Sequence, residues 1–304
     1  MKPAFANRPW LWLSIGLLLA AGVPWVASDF VSAVALSCLM YIALACSWSL
    51  FCGATRYLSL ATSAFFGLGA YASATLLGVL PWPLVILCGA ALASVVAVAM
   101  GTAVLHLRGT YFAVLTFGMT ELIRHAVTFV EKQVSGTVGR VLTVVPSNET
   151  VYLTVLAIAG AAIAAAILVK RSRFGLALAG IGADEQRAQT LGVDTRRIKI
   201  AGFALTAAFA GAAGAAMAVR WTYIEPAAVF SPFIGFQTVL IALIGGAASI
   251  GGPIVAAIVF SLLAETLRLQ LPYGYMMVLG LLLILCVMYL PNGLATLWQR
   301  QRNE

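Results

Sequence analysis

The sequence predicts an all-α, polytopic membrane protein of about ten transmembrane helices. Three observations carry this. Of 304 residues, 62% are hydrophobic and 9% are charged, with a mean hydropathy of +1.01; a soluble domain carries about 25% charged residues to cover its core. Apolar runs of about 20 residues, the length of a bilayer-crossing helix, recur from end to end. The short alternating segments of a membrane β-barrel are missing from the pattern. Residues 1–304 read as one membrane domain.

The spans follow in order. The first, 10–27, has a basic start, an apolar run and small residues at Val26, Ala27 and Ser28. Those are the parts of a signal peptide, but more apolar helices follow at once, so it reads as an uncleaved first span. The second, 30–51, contains Cys38 and Cys46; the third, 58–78, is rich in Gly and Ala and stops before Pro81. Pro83 opens the fourth, 82–106, and Gly109 separates it from the fifth, 110–130. Pro146 precedes the sixth, 151–170; the seventh, 198–221, ends before Pro226 and Pro232, which precede the eighth, 233–250. Pro253 opens the ninth, 253–269, Pro272 precedes the tenth, 273–290, and Pro291 closes it. Proline and glycine sit where helices begin or end, because proline lacks the N–H and clashes with the preceding turn.

Basic residues orient the chain. With the N-terminus inside, ten spans bring the C-terminus inside as well. The inner segments then hold Lys2, Arg8, Arg56, Arg108, Lys170, Arg171, Arg173, Arg187, Arg196, Arg197, Lys199, Arg300 and Arg302, which is 13 of the 18 Lys and Arg. Positive residues stay on the cytoplasmic side, which selects N-in, C-in. The net charge of +8 has the same origin, and no nucleic-acid-binding module is recognisable. The five cysteines lie within or at the edge of apolar runs, with no metal-ligand spacing, and read as small buried hydrophobes.

The most charged stretch, 171–197, falls in the cytoplasm between the sixth and seventh spans. Ser172 is placed to cap a first short helix running to about Gly180, and Gly182 to bend the chain. Asp184 and Glu185 suit the first turn of a second helix, Gly192 suits its C′ position, and Asp194 caps the seventh span. Leu178, Ile181, Ala188 and Leu191 form a narrow apolar stripe. A helix of this kind either lies on the bilayer as a connector or docks in a partner's groove.

Other features read two ways. Glu121 and Arg124 lie three apart inside the fifth span, where charges need a partner or a cavity. They suit a structural ion pair or a pathway lining. Glu265 and Arg268 suit a docking contact for an external binding protein or a solvated helix end. Gly245, Gly246, Gly251 and Gly252 make a tight turn with close helix packing, or a gate. Gly211 and Gly214 mark a helix–helix face, within this chain or towards a second membrane subunit. Phe65, Phe66 and Tyr71, beside small residues, suit core packing or an apolar permeation path.

Four stretches carry a resemblance, in order. "YLSLATSAFFGLGAYASATLL" (57–77), "LHLRGTYFAVLTFGMTELIRHAV" (105–127), "SRFGLALAGIGADEQRAQTLGVDTRRIKIAGFALTAAFAGAAGAA" (172–216) and "IALIGGAASIGGPIVAAIVF" (241–260), followed by "YLPNGL" (289–294), resemble branched-chain amino acid ABC importer permeases of the LivM type. The resemblance implies the vitamin B12-type (type II) importer permease fold and a place in the bacterial inner membrane. It implies a second homologous permease, two ATP-binding subunits that carry ATP and Mg, and a periplasmic or extracellular substrate-binding protein. No cofactor is implied for this chain itself. Residues 171–197 become a coupling segment that sits in the ATPase groove, with Ala183, Asp184, Glu185, Arg187, Ala188, Leu191 and Gly192 as its contact set. The chain departs from the family pattern at Ala61-Thr62, where Gly-His is usual, at Gly182, where Arg is usual, and in "VSGTVGR" (134–140), which replaces a T-G-G-x-x-G segment. Related permeases carry urea, amides or organic acids, so the substrate class stays open between these and branched-chain amino acids.

Two other classes compete. An ion-coupled secondary transporter needs intramembrane acids, and Glu121 is the clear midspan candidate. An intramembrane enzyme needs a constellation such as H-E-x-x-H, which is absent, as is a G-x-x-x-x-G-K-[ST] loop.

Overall fold

The computed structural model describes residues 16–281, except 108, 143, 144, 222, 248, 272, 273, 275, 276 and 279. The start of the first predicted span, most of the tenth, and Lys2, Arg8, Arg108, Arg300 and Arg302 of the charge tally lie outside the described residues.

The chain is an all-α, polytopic membrane protein. α1 (Gly16–Val26) is a short apolar helix. α2 (Asp29–Trp48) begins with Asp29 in its first turn, where the helix dipole favours an anion, and continues as a π-turn over Ser49–Gly53. α3 (Thr62–Leu76) and α4 (Trp82–Val104, with proline at its start) follow. α5 (Thr110–Ser135) runs between two left-handed glycines, Gly109 at φ 60 and Gly136 at φ 68. α6 (Asn148–Arg171) is capped by Ser147, whose Oγ accepts the Thr150 N–H at 3.3 Å, and ends in Lys170 and Arg171. Next come α7 (Arg173–Ala183), α8 (Glu185–Thr190) and α9 (Thr195–Met217). The short α10 (Pro226–Val229) and α11 (Pro232–Gly245) form one apolar segment before α12 (Gly251–Gln270). One two-residue ladder pairs β1 (Arg140–Val141) with β2 (Tyr223–Ile224), antiparallel.

Among the described residues, seven helices are long and apolar enough to cross a membrane. α3 is shorter than the third predicted span. The sequence suggests a helix from Leu58, but residues 57–61 are held in a non-helical path by side chains. The Trp48 indole N–H donates to the Ser59 carbonyl at 2.8 Å, and the Leu60 N–H donates to Thr116 Oγ1 at 3.1 Å. Buried backbone tolerates an irregular path in a membrane protein only when neighbours satisfy it in this way.

α9 is the centre of the bundle, packed against α4 and α3 and then α2 and α6. Its buried face is built of small residues from Ala210 to Ala216. A Cβ added at Gly214 would overlap the Phe66 backbone, and one at Gly69 would overlap the Gly211 backbone. Gly89 of α4 meets the same seam at Ala215. Gly211 and Gly214 therefore form the helix–helix face that the sequence suggested, and it lies inside this chain, against α3 and α4. Small residues bring backbones close where apolar side chains gain nothing over lipid. Gly245 and Gly252 overlap each other's backbone in the same sense, as a tight turn between α11 and α12 requires.

Candidate functional site

The charged stretch folds as two short helices, α7 and α8, at one end of the bundle. Ser172 Oγ accepts the Gly175 N–H at 3.2 Å and starts α7. Asp184 caps α8, its Oδ1 accepting the Gln186 and Arg187 N–H groups at 3.0 and 3.1 Å. Gly192, at φ 82, ends α8, and Asp194 caps α9 through the Arg197 N–H at 3.1 Å. These signals were legible in the sequence.

Two details differ. Gly182 does not bend the chain. It lies inside α7, where an added Cβ would overlap the Ala54 carbonyl, so it lets α7 rest on the end of α2. Nor is the apolar stripe free for a partner: Leu178, Ile181 and Ala188 are buried within this chain, and of the four only Leu191 is open, at 84% exposure. Leu178 packs at Gly202 of α9. The residues that α7, α8 and the turn after them leave outside include Leu176, Ala183, Arg187, Leu191 and Gly192.

Glu185 turns inward. Its side chain and that of Lys199, on α9, are 8% and 6% exposed and pair at 2.6 Å. The Lys199 ammonium has three protons and three acceptors: Glu185 Oε1, the Leu105 carbonyl at 2.7 Å and the Tyr57 hydroxyl oxygen at 3.2 Å. The Tyr57 hydroxyl in turn donates to Glu185 Oε2 at 2.7 Å. This cluster ties α8, α9, the end of α4 and the segment before α3 into one unit. A buried ion pair with its hydrogen bonds satisfied is rigid, because separating it leaves a charge unpaired in low dielectric. Sequence reading did not place Tyr57 or Lys199 in the site. The available signal was a lysine in the second turn of an apolar helix, which needs a buried acid, and Glu185 lies one short helix earlier.

A second buried carboxylate occupies the opposite end. Glu131, near the end of α5 and 4% exposed, accepts from the Tyr71 hydroxyl at 3.0 Å, the Gly139 N–H at 2.9 Å and Arg140 Nε at 3.0 Å. Arg140 opens β1. The partner strand β2 contributes Tyr223, whose hydroxyl donates to the Val138 carbonyl. Together β1 and β2 form a small lid over Tyr71, whose ring lies 5.8 Å from that of Phe230.

The remaining sequence candidates separate from these clusters. Phe65 and Phe66 are fully buried and pack as core: Phe65 meets Phe203 edge-on at 5.3 Å, and Phe66 meets Trp221 at 6.2 Å. Glu121 and Arg124 do pair, at 2.5 Å. They sit on α5, whose surface is open in the single chain, with Tyr111, Val114, Leu122 and Phe129 each more than 60% exposed. Arg124 Nε has no hydrogen-bond partner. Glu265 and Arg268 approach to 3.7 Å at the exposed end of α12.

The family described as the permease component of branched-chain amino acid transport systems matches residues 30–288. Two curated proteins are similar over nearly the whole chain. The high-affinity branched-chain amino acid transport system permease protein LivM of Escherichia coli (strain K12) is 26% identical, the match covering 96% of this chain and 76% of that protein. LivM of Salmonella typhimurium (strain LT2) is 25% identical over the same shares. No solved structure matches the chain.

Proposed function

The chain belongs to the permease components of branched-chain amino acid transport systems, and from that premise we propose that it is one membrane subunit of an ATP-driven, binding-protein-dependent importer of branched-chain amino acids. The observation that carries the mechanism is α8. It is short, capped at both ends, anchored inward by Glu185 and Lys199, and open outward at Arg187 and Leu191. A segment that only joined two spans would gain nothing from a buried ion pair. A segment that receives force from a partner needs that anchor.

In this reading the subunit spans the inner membrane ten times with both ends in the cytoplasm, in the type II importer arrangement, and forms a single membrane domain. Residues 171–197 are its coupling segment. Leu176, Ala183, Arg187, Leu191 and Gly192 meet an ATP-binding subunit, while Asp184, Glu185 and Ala188 hold the segment's shape. ATP and Mg are bound and used by two such partner subunits. A substrate-binding protein delivers the amino acid outside. A second, homologous permease covers α5, and the Glu121–Arg124 pair supports this: charges at membrane depth face a partner or a cavity, not lipid. Phe65 and Phe66 brace the core in this reading, and Tyr71 holds Glu131.

Proteoliposomes holding the permease pair, the ATPases and the binding protein test the proposal. Leucine uptake is expected to need internal or external ATP at the ATPase face and all of the components. Uptake by the permease alone, driven by a proton or sodium gradient, would overturn it in favour of a secondary transporter.

A further inference from the structure

α3 lies between two buried carboxylates. Tyr57, five residues before its start, donates to Glu185 at one end of the bundle, and Tyr71, near its end, donates to Glu131 at the other. α9 runs alongside and has the same two attachments. Lys199, in its second turn, holds Glu185, and the strand that follows its end, Tyr223–Ile224, pairs with Arg140–Val141, whose arginine holds Glu131. Between the clusters α3 and α9 touch backbone to backbone. Gly69 meets Gly211 and Gly214 meets Phe66, with no room for a Cβ at either contact. α9 alone, at about 1.5 Å per residue, is about 35 Å long, the thickness of a bilayer's apolar core and a little more.

We propose that α3 and α9 form one rigid strut that links the α7–α8 segment to the β1–β2 lid, with Tyr57 and Tyr71 as the positioning residues at its two ends. That the strut carries ATP-driven movement rests on the importer reading; that the two ends are mechanically linked does not. Three properties support the link. Backbone-to-backbone packing leaves no flexible side chains to absorb a shift, since close-packed interiors transmit displacement. Both ends are locked by charge-assisted hydrogen bonds, which hold a defined geometry and break in a discrete step. The lid itself is light, with two paired residues per strand. Release of Glu185 at one end therefore frees the strut to slide or tilt, which pulls Tyr71 from Glu131 and loosens the lid. Linkage demands the converse as well: opening the lid loosens α8 by the same factor.

The test uses the full-length permease in proteoliposomes, with its native cysteines replaced and Ile224→Cys in β2, at the buried position of the lid itself. Ile224 is fully buried, so a membrane-impermeant maleimide labels it only when the lid opens. Glu131→Gln, acting locally, is expected to speed labelling at least tenfold. Tyr57→Phe and Glu185→Gln, at the far end, are expected to speed it at least threefold. Tyr57→Phe removes one hydroxyl and keeps the ring, so it guards against simple misfolding. In the reverse direction, Glu131→Gln and Tyr71→Phe are expected to speed tryptic cleavage after Arg187 by a factor similar to the far-end labelling effect. If Tyr57→Phe and Glu185→Gln leave Ile224→Cys labelling unchanged while Glu131→Gln speeds it, the strut is wrong. Neither readout requires an ATPase, so failure of the ATPases to bind would overturn the importer reading and leave this result standing.

Discussion

At the scale of single residues, Lys199 is the most consequential side chain outside the aromatic core. Lys199→Met removes the cation paired with the buried Glu185 carboxylate, and breaking such a pair costs about 3–5 kcal/mol. Denaturant unfolding in micelles checks this. Lys199→Met with Glu185→Met is expected to lose less than the sum of the two single changes, because neither charge is then stranded. Leu191→Asp is expected to behave differently. Its site is exposed, so folding is unchanged, while co-purification of the ATPase subunits is lost. Ala188→Glu is the poorer probe of docking, because Ala188 is buried in this chain and the change disturbs α8 itself. Gln189→Ala removes one partly buried hydrogen bond, from its Nε2 to Thr195 Oγ1 at 3.0 Å, and is expected to be tolerated at about 1 kcal/mol. Caps at Ser172, Asp184, Asp194 and Gly192 were legible because each acts within three residues of itself. The inward turn of Glu185 was not, because it depends on Tyr57, 128 positions away.

At the scale of elements, the glycines of α9 show how much packing depends on what is absent. Gly214→Val puts two methyl groups against the Phe66 backbone, which cannot give way as a side chain would. It is expected to destabilise α3 against α9 by more than the about 1–3 kcal/mol of ordinary overpacking, and to abolish uptake. Gly180→Ala in α7, where an added Cβ meets nothing, is the control and is expected to be neutral or stabilising by up to about 1 kcal/mol. Thermal melts of the purified variants separate the two. Long helices were legible from length and hydropathy, as α2, α4, α6 and α12 show. The shortening of α3 was not. Residues 58–61 are apolar enough for a helix, and Trp48 and Thr116, from other elements, help to hold them out of one. The Gly211–Gly214 face was recognised as a contact surface, but its partners, α3 and α4, follow from tertiary arrangement and not from local pattern.

At the scale of the whole molecule, one end of the bundle bears a capped, anchored, outward-facing helix and the other a small two-stranded ladder, and a tightly packed helix pair joins them. α5 remains thinly covered, with a charged pair on it, which is the surface a second permease would close. The class of fold and the position of the two short charged helices, α7 and α8, were legible because both depend on composition, charge and local caps. The two buried carboxylate clusters were not, since each gathers residues from three or more elements. The most direct test of the account is the reactivity of Leu191→Cys, introduced without the native cysteines, towards a membrane-impermeant maleimide. The account predicts no labelling from outside intact cells, rapid labelling in inverted vesicles that hold the permease alone, and strong protection when the ATPase subunits are bound. Labelling from outside, or equal labelling with and without bound ATPase, would contradict it.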